Sequence, residues 1–388
     1  MTVEATPALD AGRRLQEQVL APMKAAFVGK DEVIDLLGVG LIGGENVFVL
    51  GPPGTAKSAL VQDLGRRLNG RVFDYLLTRF TEPNELFGPF DIRRLRDGDL
   101  VTNTEGMLPE AEFVFLDELL NANSAILNSL LMVLNERIFR RGREMRALPT
   151  LMVVGASNRL PEDEALGALF DRFLLRVRCD NVPAERLSDV LHAGWALEMR
   201  VAPETTSIGV DEVRSLQRLL REVDLTAVRG PYLELIRRLR YAGIRISDRR
   251  AVKLQRPIAA SALLCGRMKA ATTDLWVLRY VWDTEEQQEV IASIVQDAIE
   301  RAGAAGGEGP AHPRSRPGDV PDPEGLARDL DRIDERLKSG ELSPADQAFL
   351  RDQVAQLSAR CQWVAEGTQR DFLSQRVASL WPALGGKP

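Results

Sequence analysis

Residues 46–68 constrain the fold more than any other stretch of the chain. Asn46–Leu50 (NVFVL) is a short apolar run that favours a strand and stops at Gly51. The loop GPPGTAKS follows, and from Ala59 to Leu68 apolar residues return at helical spacing. Strand, glycine loop and helix in that order make a phosphate cradle, because the loop N–H groups and the positive end of the helix face an anion. The candidate loop comprises Gly51, Pro52, Pro53, Gly54, Thr55, Ala56, Lys57, Ser58 and Ala59. Lys57 is placed to bridge β- and γ-phosphate oxygens, and the Ser58 hydroxyl to ligate Mg2+. The general pattern has glycine before the lysine; Ala56 stands there, and alanine suits the helical conformation expected at a helix start.

Four more apolar runs read as strands, at Val72–Leu77, Phe113–Leu116, Leu151–Gly155 and Phe173–Val177, with helical segments between most of them. The expectation is an α/β fold with a mostly parallel sheet. FVFLDE delivers Asp117 and Glu118 to the carboxyl edge, where open α/β sheets place ligands. Asp117 would hold Mg2+ through water and Glu118 would polarise the attacking water. LMVVGAS leads to Asn158, whose amide suits orienting that water. Arg172 follows a short helix before the fifth strand, and ISDRRAVKL carries Arg249 and Arg250. A planar, permanently charged guanidinium suits the spread charge of a transferring phosphoryl group.

Two intervals read as β-hairpins inserted into helical connections: Asp91–Glu105 around Asp97-Gly98-Asp99, and Arg137–Leu148 around Arg141-Gly142-Arg143. The expected organisation is an α/β core over 1–183, an all-α domain over 184–300, a flexible Gly/Pro-rich linker over 301–325 and a helical hairpin over 326–388. In the hairpin, Leu326, Leu330, Ile333 and Leu337 form one stripe. Phe349, Leu350, Val354, Leu357 and Cys361 form the other, behind a Ser343 cap. The net charge of −6 gives no global field for nucleic acid or an anionic membrane. Three scattered cysteines and two histidines exclude a histidine-rich zinc site and suit a reducing compartment. With no membrane-length apolar run and no secretory pattern at the start, the expected location is the cytoplasm.

The order of these motifs resembles the AAA+ ATPases, and more narrowly the MoxR family, in which the loop carries alanine before the lysine. The RavA branch is the nearest likeness, through GPPGTAKS, YLLTRF, ELFGPFDI, GMLPEAEFVFLDE, AILNSLLMVLNERIFRRG, ASNRLPE, LFDRF and ISDRRAVKL, over about Val28–Arg267. The resemblance implies ATP with Mg2+ as cofactors. It makes Lys57 and Ser58 the Walker A pair, Asp117 and Glu118 the Walker B pair, and Asn158 sensor 1. Arg172 becomes the arginine finger acting on a neighbouring subunit, and Arg249 the sensor 2 arginine, with Arg250 as fallback. Val28 and Gly29 match the adenine pocket, Thr78 at the end of the second strand is a weaker candidate for steering Glu118, and the two hairpins match inserts that face the pore of a ring.

The resemblance further implies a homo-oligomeric ring, expected to be a hexamer, that remodels or activates a protein client, often beside a von Willebrand factor type A domain protein. Two alternatives stay open. A helicase-type nucleic-acid motor is suggested by Arg137, Arg140, Arg141, Arg143 and Arg146 of the second hairpin, although Glu136 and Glu144 interleave with them. A nucleotide-dependent scaffold would use the terminal hairpin as its partner module.

Overall fold

Continuous apolar runs such as VFVL, FVFLD and MVVGAS have no polar face to offer water, so they belong in strands covered on both sides. The computed structural model places them so. It describes residues 5–91, 93–94, 101–141, 144–161, 164–199, 208–302, 310–315, 323–338, 350–351, 353–354, 357–358 and 368–382. The chain divides into two units, Met1–Ser315 and Arg316–Pro388.

The first unit is built on a five-stranded sheet of order β2-β3-β6-β1-β7, parallel throughout. The strands are β1 Val47–Leu50, β2 Val72–Leu76, β3 Phe113–Asp117, β6 Met152–Ser157 and β7 Leu175–Arg178. β1 and β6 are wholly buried, as is β3 up to Leu116, whereas β2, at one edge, alternates with Phe73 inward and Asp74 outward. Gly155 in β6 faces Leu119 and Phe173 so closely that a Cβ would lie 2.6 Å from the former and 2.8 Å from the latter.

Both inserted hairpins are present in part. Phe90 pairs antiparallel with Thr102, flanked by Asp91 N–H to Val101 O at 2.8 Å and Asn103 N–H to Pro89 O at 2.8 Å. The Asp97-Gly98-Asp99 turn lies outside the described residues. In the second, β4 Ile138–Arg141 pairs with β5 Glu144–Ala147, and Gly142-Arg143 likewise lie outside them. The described arginines of this hairpin are largely knitted into the protein. Arg137 donates to the Asn46 side-chain Oδ1 at 2.6 Å, and burial pushes its guanidinium down to about 10. Arg141 donates to Gly88 O at 2.8 Å and sits 3.8 Å over the Phe90 ring, while Arg146 pairs with Glu144 at 2.9 Å.

The helical part of the unit includes Val210–Leu219, Thr226–Tyr241, Asp248–Lys253, Gln255–Leu264 and Gln287–Ala302. Two buried ion clusters hold it. Arg267 grips Asp274 at 2.7 and 2.9 Å. Asp283 lies between Arg176 of β7 and Arg250, the latter at 3.0 Å. The N-terminal helix Ala5–Arg14 packs against Val210–Leu219 and Gln255–Leu264; a Cβ on Gly12 would stand 2.4 Å from the Leu263 carbonyl oxygen.

The linker expected over 301–325 needs correcting at its centre, because residues 310–315 are packed on the first unit. His312 is buried and stacks on Trp276 with centroids 4.4 Å apart, and Arg314 donates to Asp35 at 2.6 Å. Arg267 donates to Pro310 O at 3.0 Å, and Arg279 to Arg314 O at 2.9 Å. A stacked ring and a buried ion pair outweigh the glycine and proline composition there.

The second unit contains the helices Pro323–Lys338 and Thr368–Leu380. Its core joins Leu330 and Ile333 with Leu350, Val354 and Leu357, as the two stripes predict, and adds Leu373, Val377, Leu380 and Trp381 from a third helical stretch that a two-helix hairpin omits. Ser343, Phe349 and Cys361 lie outside the described residues.

Candidate nucleotide site

The loop after β1 owes its shape to one absent side chain. A Cβ on Gly51 would stand 2.2 Å from the Cys179 carbonyl oxygen, so only glycine lets this loop lie beside the end of β7. Gly51 N–H donates to Ser157 O at 3.0 Å, fastening the loop to the end of β6 as well. Gly54 is left-handed at φ +82 with nothing within 4 Å of a would-be Cβ, and the Thr55 hydroxyl closes the turn on Pro52 O at 3.0 Å. The Cys179 thiol reaches Thr55 O at 3.3 Å.

Ala56 departs from expectation. It is not helical but left-handed, with φ 67 and ψ 24, and forms the N-cap of Lys57–Arg67. The turn demands positive φ just before the lysine, and alanine's small Cβ keeps the cost to roughly 1–2 kcal/mol. The Lys57 ammonium, mostly buried, is held by Gly51 O at 2.9 Å and Pro52 O at 2.8 Å in the centre of the loop. Ser58 follows in the first helical turn, where backbone N–H groups have no intrahelical partner.

Across the sheet, Leu77 N–H donates to Asp117 O at 2.9 Å, and the Asp117 carboxylate accepts the Glu118 N–H at 2.9 Å. Glu118 is itself left-handed at φ 49, which turns its side chain out of the strand direction. Its carboxylate lies 3.5 Å from the Asn121 amide nitrogen, and Arg159 stands 3.4 Å from the other end of that amide. Asn121 and Arg159 escape sequence reading because no motif marks a loose relay through a short 3-10 turn. Thr78 lines the same cleft as Glu118, but its hydroxyl pairs with Thr81 at 3.2 Å. Asn158 is exposed directly after β6, between the strands that deliver Gly51 and Asp117.

The adenine-pocket candidates reach this edge indirectly. Gly29, at φ +73, would put a Cβ 2.6 Å from Val182, and the Lys30 ammonium is bound by Asp180 O, so Val28 and Gly29 lie against the segment that begins at Cys179. A glycine cradle, a lysine, a hydroxyl and two carboxylates on one edge are the donor set that a magnesium nucleotide requires.

The three arginines separate from that edge. The Arg172 carbonyl accepts from Asn46 at 3.0 Å, at the amino end of β1, and five residues of strand put Gly51 about 16 Å away. Arg249 reaches Asn135 at 3.4 Å, one residue beyond Leu134, whose carbonyl also accepts from Asn46. Arg172 and Arg249 therefore gather at the amino edge, opposite their own phosphate loop. Arg250, the fallback, is buried and bonded to Asp283, Arg245 O and Val281 O, which leaves it no freedom to approach a nucleotide.

Comparison with known proteins gives the family and the fold. Residues 13–218 match a family model described as the MoxR domain in the MoxR-vWA-beta-propeller ternary systems, and residues 232–295 match an AAA lid domain. Two uncharacterised proteins of Methanocaldococcus jannaschii are each 37% identical: one over 284 residues, 72% of this chain and 73% of that protein, the other over 274, 70% and 72%. Chaperone MoxR1 of Mycobacterium tuberculosis is 26% identical over 180 residues, 45% of this chain and 47% of its own. A crystal structure of a putative ATPase from Cytophaga hutchinsonii superposes with a TM-score of 0.61 at 17% identity, covering 77% of this chain and 96% of that one, and so shares the fold. No helix among the described residues is long and apolar enough to cross a membrane. With the family model spanning more than half of its length, the chain belongs to the MoxR family of AAA+ ATPases.

Proposed function

We propose that the chain works as a ring, expected to be a hexamer, that hydrolyses Mg-ATP to remodel or activate a protein client together with a von Willebrand factor type A domain protein. The observation that carries this reading is the division of the site: Lys57, Ser58, Asp117, Glu118 and Asn158 stand at one edge of the sheet, and Arg172 with Arg249 at the other. Such a chain supplies a pocket on one side and guanidinium groups for a neighbour's pocket on the other. The description of the matched family supports the von Willebrand factor type A partner and adds a β-propeller protein as a candidate client. The RavA placement rests on the motifs alone. The free thiols of Cys179 and Cys265 agree with a reducing cytoplasm.

The nucleotide would supply the phosphoryl group and the metal its charge neutralisation; the chain's residues do the rest. Gly51 and Gly54 let backbone amides approach the phosphates, and Lys57 turns its ammonium toward them. Ser58 and Asp117 are the residues that would hold the metal. Glu118 would accept the attacking water's proton while Asn158 orients that water, and Asn121 lies beside the glutamate. The knitted arginines of the second hairpin favour a folded pore element over a nucleic-acid track. The test is Lys57→Ala against Glu118→Gln: the first should lose nucleotide binding, the second should keep it while phosphate release falls at least about a hundredfold. Unchanged turnover in Glu118→Gln would remove that residue from water activation.

A further inference from the structure

The amino edge of the sheet carries a cleft that the nucleotide chemistry does not use. Its volume is about 810 Å³, and it lies between residues 148–151, which lead from the second hairpin into β6, and the helical segments around Val210–Glu222 and Gln255–Leu264. Six residues of β6 separate this end from Asn158, so the cleft is about 20 Å from the phosphate edge.

Its lining has an unusual charge for a chain whose net charge is −6. Of fourteen lining residues four are arginines, Arg214, Arg218, Arg221 and Arg256, and none is acidic. The first three recur at i, i+4 and i+7, so they share one helix face and span about 10 Å along it. They are sparsely neutralised. Arg214 meets Asp211 at 3.1 Å and Glu112 at 3.8 Å, and Arg256 meets Glu45 at 2.9 Å. Among the described residues the Arg218 guanidinium pairs only with the Ser215 hydroxyl, at 3.0 Å, and that of Arg221 has no hydrogen-bond or ion-pair partner. Both are exposed. Leu148, Leu151, Leu220 and Val223, themselves largely buried, add apolar atoms to the lining.

We infer that this cleft binds an extended segment of a partner protein in which acidic side chains alternate with apolar ones. Alternate residues of an extended strand lie about 7 Å apart, which matches the roughly 5–6 Å steps between successive arginines within the reach of their side chains. The residues in between point to the other side of the strand, where Leu148 and Leu151 of the 148–151 segment line the cleft. Half of the lining is apolar, a surface that a phosphate chain would have to desolvate without return, and the guanidinium groups are spread along the helix instead of converging on one point. The chosen occupant follows from that charge and apolar complementarity. A segment seated there grips the base of the second hairpin and the helix Gln255–Leu264 at once.

Binding would be measured on the full chain by fluorescence anisotropy. The probe is a fluorescein-labelled peptide of about eight residues alternating Glu and Leu; the same peptide with Lys for Glu, single-stranded DNA and tripolyphosphate are compared. The Glu–Leu peptide should bind, should weaken with added salt, and should lose at least about tenfold in affinity in Arg218→Glu/Arg221→Glu. That variant should keep its nucleotide affinity, which shows it folded and separates this outcome from any failure of the ATPase reading. Absence of Glu–Leu binding, or equal binding to the double variant, overturns the inference. Tighter binding of DNA or tripolyphosphate that disappears in the same variant overturns it too, by making the cleft a phosphate site.

Discussion

Arg250 and Arg172 differ in what surrounds them, and the difference separates an arginine that builds from one that acts. Arg250 is buried, shares Asp283 with Arg176 and donates to two carbonyls; Arg176 also lies 4.0 Å over the Phe170 ring. Among the described residues the Arg172 guanidinium meets only the adjacent Asp171, at 3.5 Å; its buried Nε, like that of Arg176, has no partner, but Arg176 is held by Asp283 and two carbonyls besides. Saturated guanidinium groups are committed to the fold, whereas under-satisfied ones at an edge are available to a ligand. The same contrast divides Arg267, locked on Asp274, from Arg249, with its single loose contact to Asn135.

The strongest way to break this comparison is Arg172→Ala. Under the proposed ring, kcat should fall on the order of 10³ with nucleotide affinity nearly unchanged, and mixing with Lys57→Ala subunits should restore part of the activity. Two inactive proteins that co-assemble and stay inactive would place Arg172 among the building arginines.

Asp283→Asn probes the opposite class. It leaves Arg176 and Arg250 without a counter-charge and should cost about 3 kcal/mol of stability, read by denaturant unfolding, with turnover intact in the molecules that remain folded. Turnover loss without destabilisation would make the cluster catalytic in character.

Acid should dissolve the same anchorage. Desolvation pushes the Asp283 carboxyl up, but Arg250 and Arg176 outweigh it and hold it below its ordinary range. Asp35 is likewise lowered, by His312 and Lys24 against desolvation. A carboxyl depressed on folding stabilises above its unfolded pKa of about 3.9, and that contribution is lost as pH falls below it. Glu45, raised chiefly by desolvation, acts in the other sense and is relieved by acid. Thermal melting from pH 7 to pH 3 should therefore fall most steeply below about pH 4, and less so in Asp283→Asn.

The smallest expected effect is at Ala56. Replacing it by glycine relieves a left-handed alanine and should raise stability by up to about 1 kcal/mol without loss of hydrolysis. A destabilised Ala56→Gly would show that the loop depends on the alanine methyl.

Much of the molecule was legible because its strands are apolar runs and its phosphate loop lies between a strand and a helix, patterns local in sequence. The position of Asp117, Glu118 and Asn158 at the carboxyl edge of the sheet was legible for the same reason. What escaped depends on contacts between distant residues. The left-handed Ala56 and Glu118 are imposed by the turns they close, and the sharing of Asp283 joins Arg176 to a residue 107 positions on. The packing of 310–315 follows from His312 meeting Trp276, which no local composition announces.

The packing of Gly12 on the Leu263 carbonyl has a consequence for the order in which the molecule can be made. All five sheet strands lie before residue 179, so a growing chain can assemble its sheet and phosphate loop before the helix Gln255–Leu264 has been synthesised. The helix Ala5–Arg14, which also packs on Val210–Leu219, must then wait for Gln255–Leu264 to complete its seat. Closing so long a loop adds little thermodynamic penalty, about 0.6 kcal/mol for each doubling of length, but it delays the event. A nascent chain arrested before Gln255 should thus protect its strands from proteolysis while residues 5–14 remain open to cleavage.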